Sequence, residues 1–591
     1  MKNLPLFLSA VLLLLHPAYG SNLEINGTYT QSEDWDVDTL SVTGNIVVAL
    51  PDTEKIIIQP GTVVLFHGPF SVAAGNDNLI MDGNREQPIL FTTADTAIRW
   101  GGIFFDSLIY RINQIPHVSY PPLPDDTLSI SFCTFERCDN LFGVITLNNS
   151  ACKGSRPMII SNCHFSNNNC LGTLFSQQDD LSDSIPIFIS DCLFENNLKG
   201  AIYSYEYNLV LERNRFLNNV GSTGSSMAAA QGIGACNLWY CDCIVNDNEF
   251  KENTGNEYAS AIYHSGHKDS STIVVSRNIF TKNTGLPAVY LLESHATISG
   301  NVFKENISTT CVIGGATLYL NGTHQTTISA NIFSDNIDEC NSAGASSSGG
   351  ASGGGIYINN ASELMVSNNL FIGNSAFRGG ALFCTSTDSA VFINNTFSGN
   401  TGRLGPAVYD EYPRGDHRYI NNCIYGNNVF RTDDSVVYQV FLHRPVDAGF
   451  INCLLPPGDS VYLSEHCTDC IFNTPEFTDT TENDYSLKEG SPGIDAGADE
   501  FMGFLIEATD LAGNPRVFND IIDIGAYEFH EPEPVRPLTI HTSNRLQKKM
   551  YRLSFFGTPG AGGRAFTLSG AVVKQTSRKT RKYRGAVLIR K

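Results

Sequence analysis

One pattern recurs along the middle of this chain and limits what it can fold into. It is an aliphatic residue, Asn or Cys three positions later, an aromatic two beyond that, and Asn three further on. It starts at Ile130, Cys133 and Phe135, with Cys138 in place of the last Asn. It continues through Ile160, Cys163, Phe165, Asn168 and Ile189, Cys192, Phe194, Asn197, then Leu211, Asn214, Phe216, Asn219. The middle copies include Val275, Asn278, Phe280, Asn283 and Ile298, Asn301, Phe303, Asn306. The series ends with Phe392, Asn395, Phe397, Asn400 and Ile420, Cys423, Tyr425, Asn428, with a faded copy at Phe450, Cys453, Leu455. From Phe135 to Tyr425 the aromatic advances 290 residues in ten steps, 29 per repeat, with single steps of 22 to 38. Repeats of this kind decide the architecture before any local propensity does.

A helical solenoid needs two amphipathic helices per period, and none is present. A propeller blade needs four strands and a longer period. About 29 residues of short strands and elastic loops fits one coil of a parallel β-helix. Coils stack at the strand spacing of about 4.8 Å, so equivalent residues form columns. Ile/Val and Phe columns fill the interior. An Asn at an inward bend can bond backbone and the Asn in the next coil, satisfying amides where the ladder turns. Cys at 133, 163 and 192 fits the same column as a small buried thiol. A second strand per coil reads small-aliphatic-aromatic, as in Ala261-Ile262-Tyr263, Ala288-Val289-Tyr290, Gly354-Gly355-Ile356-Tyr357 and Ala407-Val408-Tyr409. Successive side chains face opposite ways, and the sequence leaves open which of each pair faces in. The expected fold class is all-β, a right-handed parallel β-helix with a small C-terminal β-domain.

The Gly-Gly-Ala-aliphatic and Phe-x-x-Asn elements over residues 125–430 resemble the repeats of chlamydial polymorphic outer-membrane proteins and related pectate-lyase-like β-helices. Ile58-Gln59-Pro60-Gly61-Thr62, Pro88-Ile89-Leu90-Phe91-Thr92 and Trp100-Gly101-Gly102-Ile103 resemble the first coils of secreted β-helix repeat proteins. Ser491-Pro492-Gly493-Ile494-Asp495-Ala496-Gly497, Asp510-Leu511-Ala512-Gly513-Asn514-Pro515-Arg516 and Asp523-Ile524-Gly525-Ala526-Tyr527-Glu528 resemble the choice-of-anchor Q region of exported bacterial proteins. Phe566–Val573 and Arg584–Arg590 partly resemble the last motifs of type IX secretion sorting domains. These resemblances imply a bacterial surface protein of Gram-negative type, attached through its tail.

The organisation expected is a signal peptide over 1–20, a cap and first coils over 21–125, and repeats over 126–470. A C-terminal cap region follows over 471–530, then a linker over 531–550 and a basic tail over 551–591. The signal peptide rests on Lys2, the apolar run Leu4–Leu15 and the small-residue exit Ala18-Tyr19-Gly20. No later segment is apolar enough over enough length to span a membrane as a helix.

All 60 acidic residues lie at or before Glu533, whereas 14 of the 38 basic residues follow it, so residues 1–533 carry a formal charge of −36. Such a body repels phosphates, and no nucleic-acid partner is expected. Sixteen cysteines in an exported chain predict some disulfides. Stacked pairs such as Cys163/Cys192, Cys423/Cys453 and Cys311/Cys340 are the candidates, with Cys467-Thr468-Asp469-Cys470 as a local bridge. No spacing matches a paired-CxxC zinc site, and no metal is assigned. The carboxylates Asp495, Asp510, Asp523 and Glu528 suggest Ca²⁺. The alternative is turn-building Asp and Gly in a cap, with Asp510 and Arg516 pairing, and no cofactor is assigned.

Polygalacturonase-type Asn-Thr-Asp, Gly-His-Gly and Arg-Ile-Lys motifs are absent, as is a pectate-lyase cluster of Asp with a following Arg. The best polar group is Tyr409, Asp410, Glu411, Tyr412, Arg414, Asp416, His417 and Arg418, placed in a loop between two coil strands. His264, His267 and Lys268 occupy the matching loop several coils earlier. Against a site stands the ordinary reading of a solvated loop. The leading functional expectation is a surface-displayed, adhesin-like or glycan-binding, non-catalytic protein. The alternative is a secreted polysaccharide lyase or glycoside hydrolase, which needs an acid/base pair or two facing carboxylates on one face.

Overall fold

The computed structural model describes residues 20–530 except 52–53, 75–77, 107–127, 141, 149–157, 171, 173, 178–186, 223–231, 268–270, 310–314, 316, 340–350, 431–437, 444–447, 499–506 and 519–520, together with strands at 550–554 and 586–590. The signal-peptide residues 1–19, the Phe566–Val573 run and the Cys311/Cys340 pair therefore lie outside the described residues.

Each coil of the repeat region carries three short strands. In the coil around Phe280 they are Thr272–Ser276, Ile279–Thr281 and Val289–Leu292, with a two-residue strand, Thr284–Gly285, between the last two. The first set stacks into one 16-stranded parallel sheet running from Glu33–Trp35 to Cys467–Thr468, and the other two sets make a 30-stranded sheet. Parallel pairing begins with Asn22–Tyr29 against Thr39–Val48. Equivalent residues meet coil to coil, as Phe280 with Phe303 and Phe303 with Phe333. The chain is a right-handed parallel β-helix.

The interior follows from the columns. Phe rings from Phe135 to Phe397 stack in one row with centroids 4.7 to 5.0 Å apart. Ile and Val of the first strands, such as Val275 and Ile298, fill the opposite wall and are buried. The two bends of each coil turn through a left-handed residue just before the ladder Asn: Arg277 before Asn278, Lys282 before Asn283, Glu305 before Asn306. A non-glycine residue there carries a steric cost of roughly 1–2 kcal/mol. The Asn that follows compensates, because the bend aims its side chain inward along the axis. Asn283 Nδ2 donates to Asn306 Oδ1 at 2.9 Å and to the Phe250 carbonyl at 2.9 Å. Two such amide ladders run beside the Phe row, and Cys163 and Cys192 continue one of them: Cys163 N–H points at Cys192 Sγ at 3.4 Å.

The register slips by one residue near the end. The sequence pattern places Ile420, Cys423, Tyr425 and Asn428 in the columns. The structure places Tyr419, Asn422, Ile424 and Asn427 there instead. Tyr419 stacks between Phe392 and Phe450 at 4.6 Å each, and Asn422 Oδ1 accepts from Asn395 Nδ2 at 2.9 Å. Asn421 takes the left-handed bend with φ 53°. A one-residue slip sends every side chain to the other face, so Cys423 turns away from the ladder to pack on Leu454 and Ile524. Cys453, not Cys423, continues the Asn column, under the Asn422 amide at 3.4 Å.

The thirteen described cysteines are all thiols, so neither Cys163/Cys192 nor Cys423/Cys453 nor Cys467/Cys470 forms the expected bridge. In the ladder the reason is direction. Cys163 Sγ points at the Ser161 carbonyl, 3.3 Å away, as a ladder amide would.

Residues beyond the last coil take two courses. A helical turn over Ser460–Leu463 closes the final coil: Leu463 is buried, and Asp459 accepts from the Gln439 and Val440 amides at 2.9 and 3.2 Å. The segment through Glu528 does not sit over that open end. It runs back along the flank of the coils, where Ala526 N–H donates to Thr396 Oγ1 at 2.9 Å and Tyr485 packs on Leu370 and Ile372. Its hub is Arg516, buried and donating to Glu528 Oε1 at 3.2 Å, to the Gly525 and Ala526 carbonyls, and to Asn368 Oδ1. Asp510 is not its partner; it holds the turn through the Asn514 amide at 2.7 Å and accepts the Glu528 amide at 3.0 Å. Asp523 likewise accepts the Asp495 amide at 2.7 Å. The carboxylates of Asp510, Asp523 and Glu528 thus serve a guanidinium and backbone amides, and Asp495 joins them through its own backbone amide. A second unit, His530–Lys591, contains an antiparallel pair, Met550–Ser554 with Ala586–Arg590.

Candidate functional site

The third strand of each coil settles what alternation left open. Its aliphatic residue faces the interior and its aromatic faces outward. Tyr263, Tyr290, Tyr319, Tyr357, Phe383, Tyr409 and Phe441 are in register from coil to coil. Neighbouring centroids are 4.6 to 5.4 Å apart. These rings cover one another, so Tyr263 is only 1% exposed and Tyr409 only 4%. Burial pushes the Tyr357 and Tyr409 hydroxyls up to about 12, which keeps them protonated.

Two residues further along the same strands a second outward row is more open. It reads Tyr205, Trp239, Ser265, Leu292, Asn321, Asn359, Thr385 and Glu411 in register. At one end Tyr240 joins it, edge-on to Tyr205 at 5.5 Å and to Trp239 at 5.8 Å, and stacked on His267 at 4.1 Å. In the middle Asn359 Nδ2 donates to Asn321 Oδ1 at 3.2 Å, and Asn321 Nδ2 to the Tyr290 hydroxyl at 3.3 Å. At the other end Glu411 lies 3.8 Å from Arg378, whose guanidinium also sits 5.8 Å over the Tyr409 ring. Seven coil steps at about 4.8 Å make this strip roughly 34 Å long.

The polar group read from the sequence divides between outside and inside. Tyr409 and Glu411 lie on the outward face. Tyr412 is exposed, with its ring 4.5 Å from His443. Arg414 donates to Asn360 Oδ1 at 2.6 Å, and Arg418 to Asp416 Oδ2 at 3.2 Å, on the surface beside them. Asp410 and His417 are not in the loop at all. They sit on strands Val408–Glu411 and His417–Ile420 and face the interior. His417 Nδ1 is 2.7 Å from Asp410 Oδ2, which also accepts the Tyr419 hydroxyl at 2.9 Å. His417 Nε2 faces the carbonyls of Asp388 at 3.1 Å and Thr387 at 3.3 Å. Acceptors on both sides call for a doubly protonated ring. Burial opposes that charge, but the Asp410 hydrogen bond and charge, with the two carbonyls, raise the His417 pKa overall. The Cys384 thiol nearby is fully buried, and burial raises its pKa. A buried Cys-His-Asp set with both ring nitrogens engaged has the makings of an interior ion pair.

His264 was grouped with His267 by sequence, yet it too is interior, while His267 stays at the surface. Lys268 lies outside the described residues. The signal missed for His264, Asp410 and His417 was their place in the strand: each holds an inward position. The Trp239–Tyr240 platform was missed because an Asn, Asn237, replaces the aromatic of its coil.

The Right handed beta helix region family matches residues 124–303, and the Periplasmic copper-binding protein (NosD) family matches residues 242–407. Among solved structures the chain is similar to pectate lyase Pel9A, at 12% identity and TM-score 0.33, over 64% of this chain and 89% of that one. It is also similar to PfbA, a surface adhesin of Streptococcus pneumoniae, at 10% identity and TM-score 0.23, over 69% of this chain and 83% of that one. No curated protein matches it. Among the described residues no helix is long and apolar enough to cross a membrane.

Proposed function

We propose that this chain is an exported, non-catalytic β-helix that binds polysaccharide or cell-surface glycan along its outer aromatic-amide strip. The observation that carries the reading is the open row from Tyr205, Trp239 and Tyr240 through Asn321 and Asn359 to Glu411 and Tyr412. Aromatic surface packs on the apolar C–H face of a sugar ring, and side-chain amides pair with its hydroxyls; both are rigid here because the rows are in register. Arg414, Asp416 and Arg418 extend the strip at its charged end. Asp410 and His417 support that end from inside without touching ligand. Export rests on the leader-like start, and attachment on the basic tail over 551–591.

The test is retention of the purified protein on a panel of immobilised polysaccharides, with each eluate also assayed for new chain ends. Binding to at least one polymer, weakened tenfold or more by Trp239→Ala with Tyr240→Ala, is the expected result. No retention on any polymer refutes the reading. Appearance of unsaturated or reducing ends replaces it with the lyase or hydrolase alternative.

A further inference from the structure

The strand that carries the outward aromatics also ends in a left-handed residue: Tyr240 after Cys236–Trp239, Glu293 after Val289–Leu292 and Ser386 after Leu382–Thr385. A non-glycine residue is sterically disfavoured there. After Glu293 and Ser386 the next side chain ties the turn to the strand it leaves. Ser294 Oγ donates to the Leu292 carbonyl at 2.8 Å, and Thr387 Oγ1 to the Thr385 carbonyl at 3.2 Å. Short bonds of this kind favour the turn. After Tyr240 the equivalent residue is Cys241, which has no hydroxyl to give. Yet this bend presents the aromatic platform, since the Tyr240 ring stands edge-on to Tyr205 and Trp239 and stacks on His267.

Cys241 meets a second sulfur instead. Alternation turns Cys241 and Cys243 to the same inner side, where both are buried, while Asp242 between them is exposed. The two sulfurs are 3.2 Å apart, and the Cys241 carbonyl is farther from Cys243 Sγ, at 3.9 Å. Ladder thiols behave differently: Cys163 Sγ lies 3.3 Å from the Ser161 carbonyl. Cys243 also departs from its column. Leu209 and Ile273 pair with it in register, so packing there asks for an aliphatic side chain and not for a thiol. His264 walls the corner with both ring nitrogens engaged, Nδ1 with Ser294 Oγ at 2.7 Å and Nε2 with the Cys241 carbonyl at 2.8 Å. It leaves the two sulfurs to each other.

We propose that Cys241 and Cys243 become joined by a disulfide that holds the Tyr240 bend, formed by exchange with an external disulfide while the coils close. Cys241 begins the exchange. The hydrogen bond from Cys243 lowers its thiol to about 6, whereas burial raises Cys243, and the thiolate is the nucleophile. Its sulfur attacks the external disulfide, forms a mixed disulfide and releases one external thiolate. Cys243 then gives up its proton, attacks the Cys241 sulfur and releases the second. The two leaving thiolates take up the two protons that the cysteines lose. The pair is thus oxidised by two electrons, and the external disulfide is reduced to two thiols. Closing from 3.2 Å to a bond of about 2.05 Å is a shift of roughly 1.2 Å. Once the strand Ile262–Ser265 packs on the corner both sulfurs are sealed, which shields the bond from reductants. In the cell the bond needs an oxidising compartment, which rests on the export proposed for this chain; refolding in vitro does not.

The full-length protein is unfolded with reductant and refolded in two ways, with a mixture of oxidised and reduced glutathione or with reductant alone. Free thiols are alkylated in denaturant, and the peptide holding Cys236, Cys241 and Cys243 is fragmented by mass spectrometry. After oxidative refolding Cys236 is expected to be alkylated. Cys241 and Cys243 are expected to be unalkylated and together two hydrogens lighter, with no fragment arising between them. Alkylation or glutathionylation of either one, or a bond from either to Cys236 or any other cysteine, overturns the proposal. Hydrogen exchange on the same two preparations reads the bend without any substitution. The Tyr240 amide, which donates to the Ser265 carbonyl at 2.8 Å, is expected to exchange at least tenfold faster in the reduced protein, with distant coils unchanged. Equal exchange in the two forms overturns the hold on the bend.

Discussion

Replacing Asn301 by Leu tests both the fold and the direction of its columns. Asn301 Nδ2 donates to the Val275 carbonyl at 2.8 Å and to Asn331 Oδ1 at 2.9 Å. Its Oδ1 accepts the Asn278 backbone amide at 2.9 Å and Asn278 Nδ2 at 3.0 Å. Leucine abolishes all four. Two neighbours keep another partner: Asn331 Oδ1 still accepts the residue-301 amide at 2.9 Å, and Asn278 Nδ2 still reaches the Val245 carbonyl at 2.7 Å. The Asn278 N–H and the Val275 carbonyl lose a partner inside a dry wall. At about 1–3 kcal/mol per orphaned buried group, the loss is roughly 2–6 kcal/mol. Cysteine there should cost less, because Cys163 and Cys192 already carry the same column, with the Cys192 amide donating to Asn214 Oδ1 at 3.0 Å. Nearest-neighbour coupling in a solenoid confines the damage. Hydrogen exchange should therefore show protection lost across residues 275–336 and kept in distant coils, while chemical denaturation reports the energy. A Leu variant within about 1 kcal/mol of the parent, or protection lost uniformly along the chain, would refute the inward amide ladder.

Phe303 stacks between Phe280 and Phe333 at 4.7 Å on each side; truncation to Ala should cost roughly 3–5 kcal/mol, read from the denaturation midpoint. The buried His417 has a raised pKa, so its contribution is complete below the unfolded value near 6.5 and is lost as pH rises through the folded value. The melting temperature should therefore fall as pH rises from about 6.5 through the folded value, and Asp410→Asn should be destabilised at low pH and flatten that fall. A parent and variant with parallel pH profiles would remove the ion pair from the account. Arg516→Ala leaves Glu528 buried without its cation, a loss of roughly 3–5 kcal/mol for the flank segment; limited proteolysis should then cut within residues 473–529 while the coils resist. Deleting residues 536–591 should stop surface display in the producing cell, seen by protease shaving, and unchanged display would dismiss the sorting role of the tail.

The sequence by itself determined the architecture. A period near 29 residues with Phe and Asn at constant spacing has one economical solution, stacked coils with apolar and amide columns, because every coil repeats the same burial problem. It also carried the inward direction of Asn301 and Phe303, since an amide ladder works only where water is excluded. What it could not carry was anything set by register across loops of unequal length. The slip that puts Tyr419 and Asn422 in the columns turns on one left-handed residue, Asn421. Asp410 and His417 read as loop residues because charge suggests solvent; only the stacked strands show that they satisfy each other inside. His264 lies beside Cys241 and Cys243, 23 and 21 positions earlier, only because the strands stack. Arg516 met Glu528 and Asn368 because the chain folds back along the flank, a course fixed by surface complementarity between distant segments and by no local pattern.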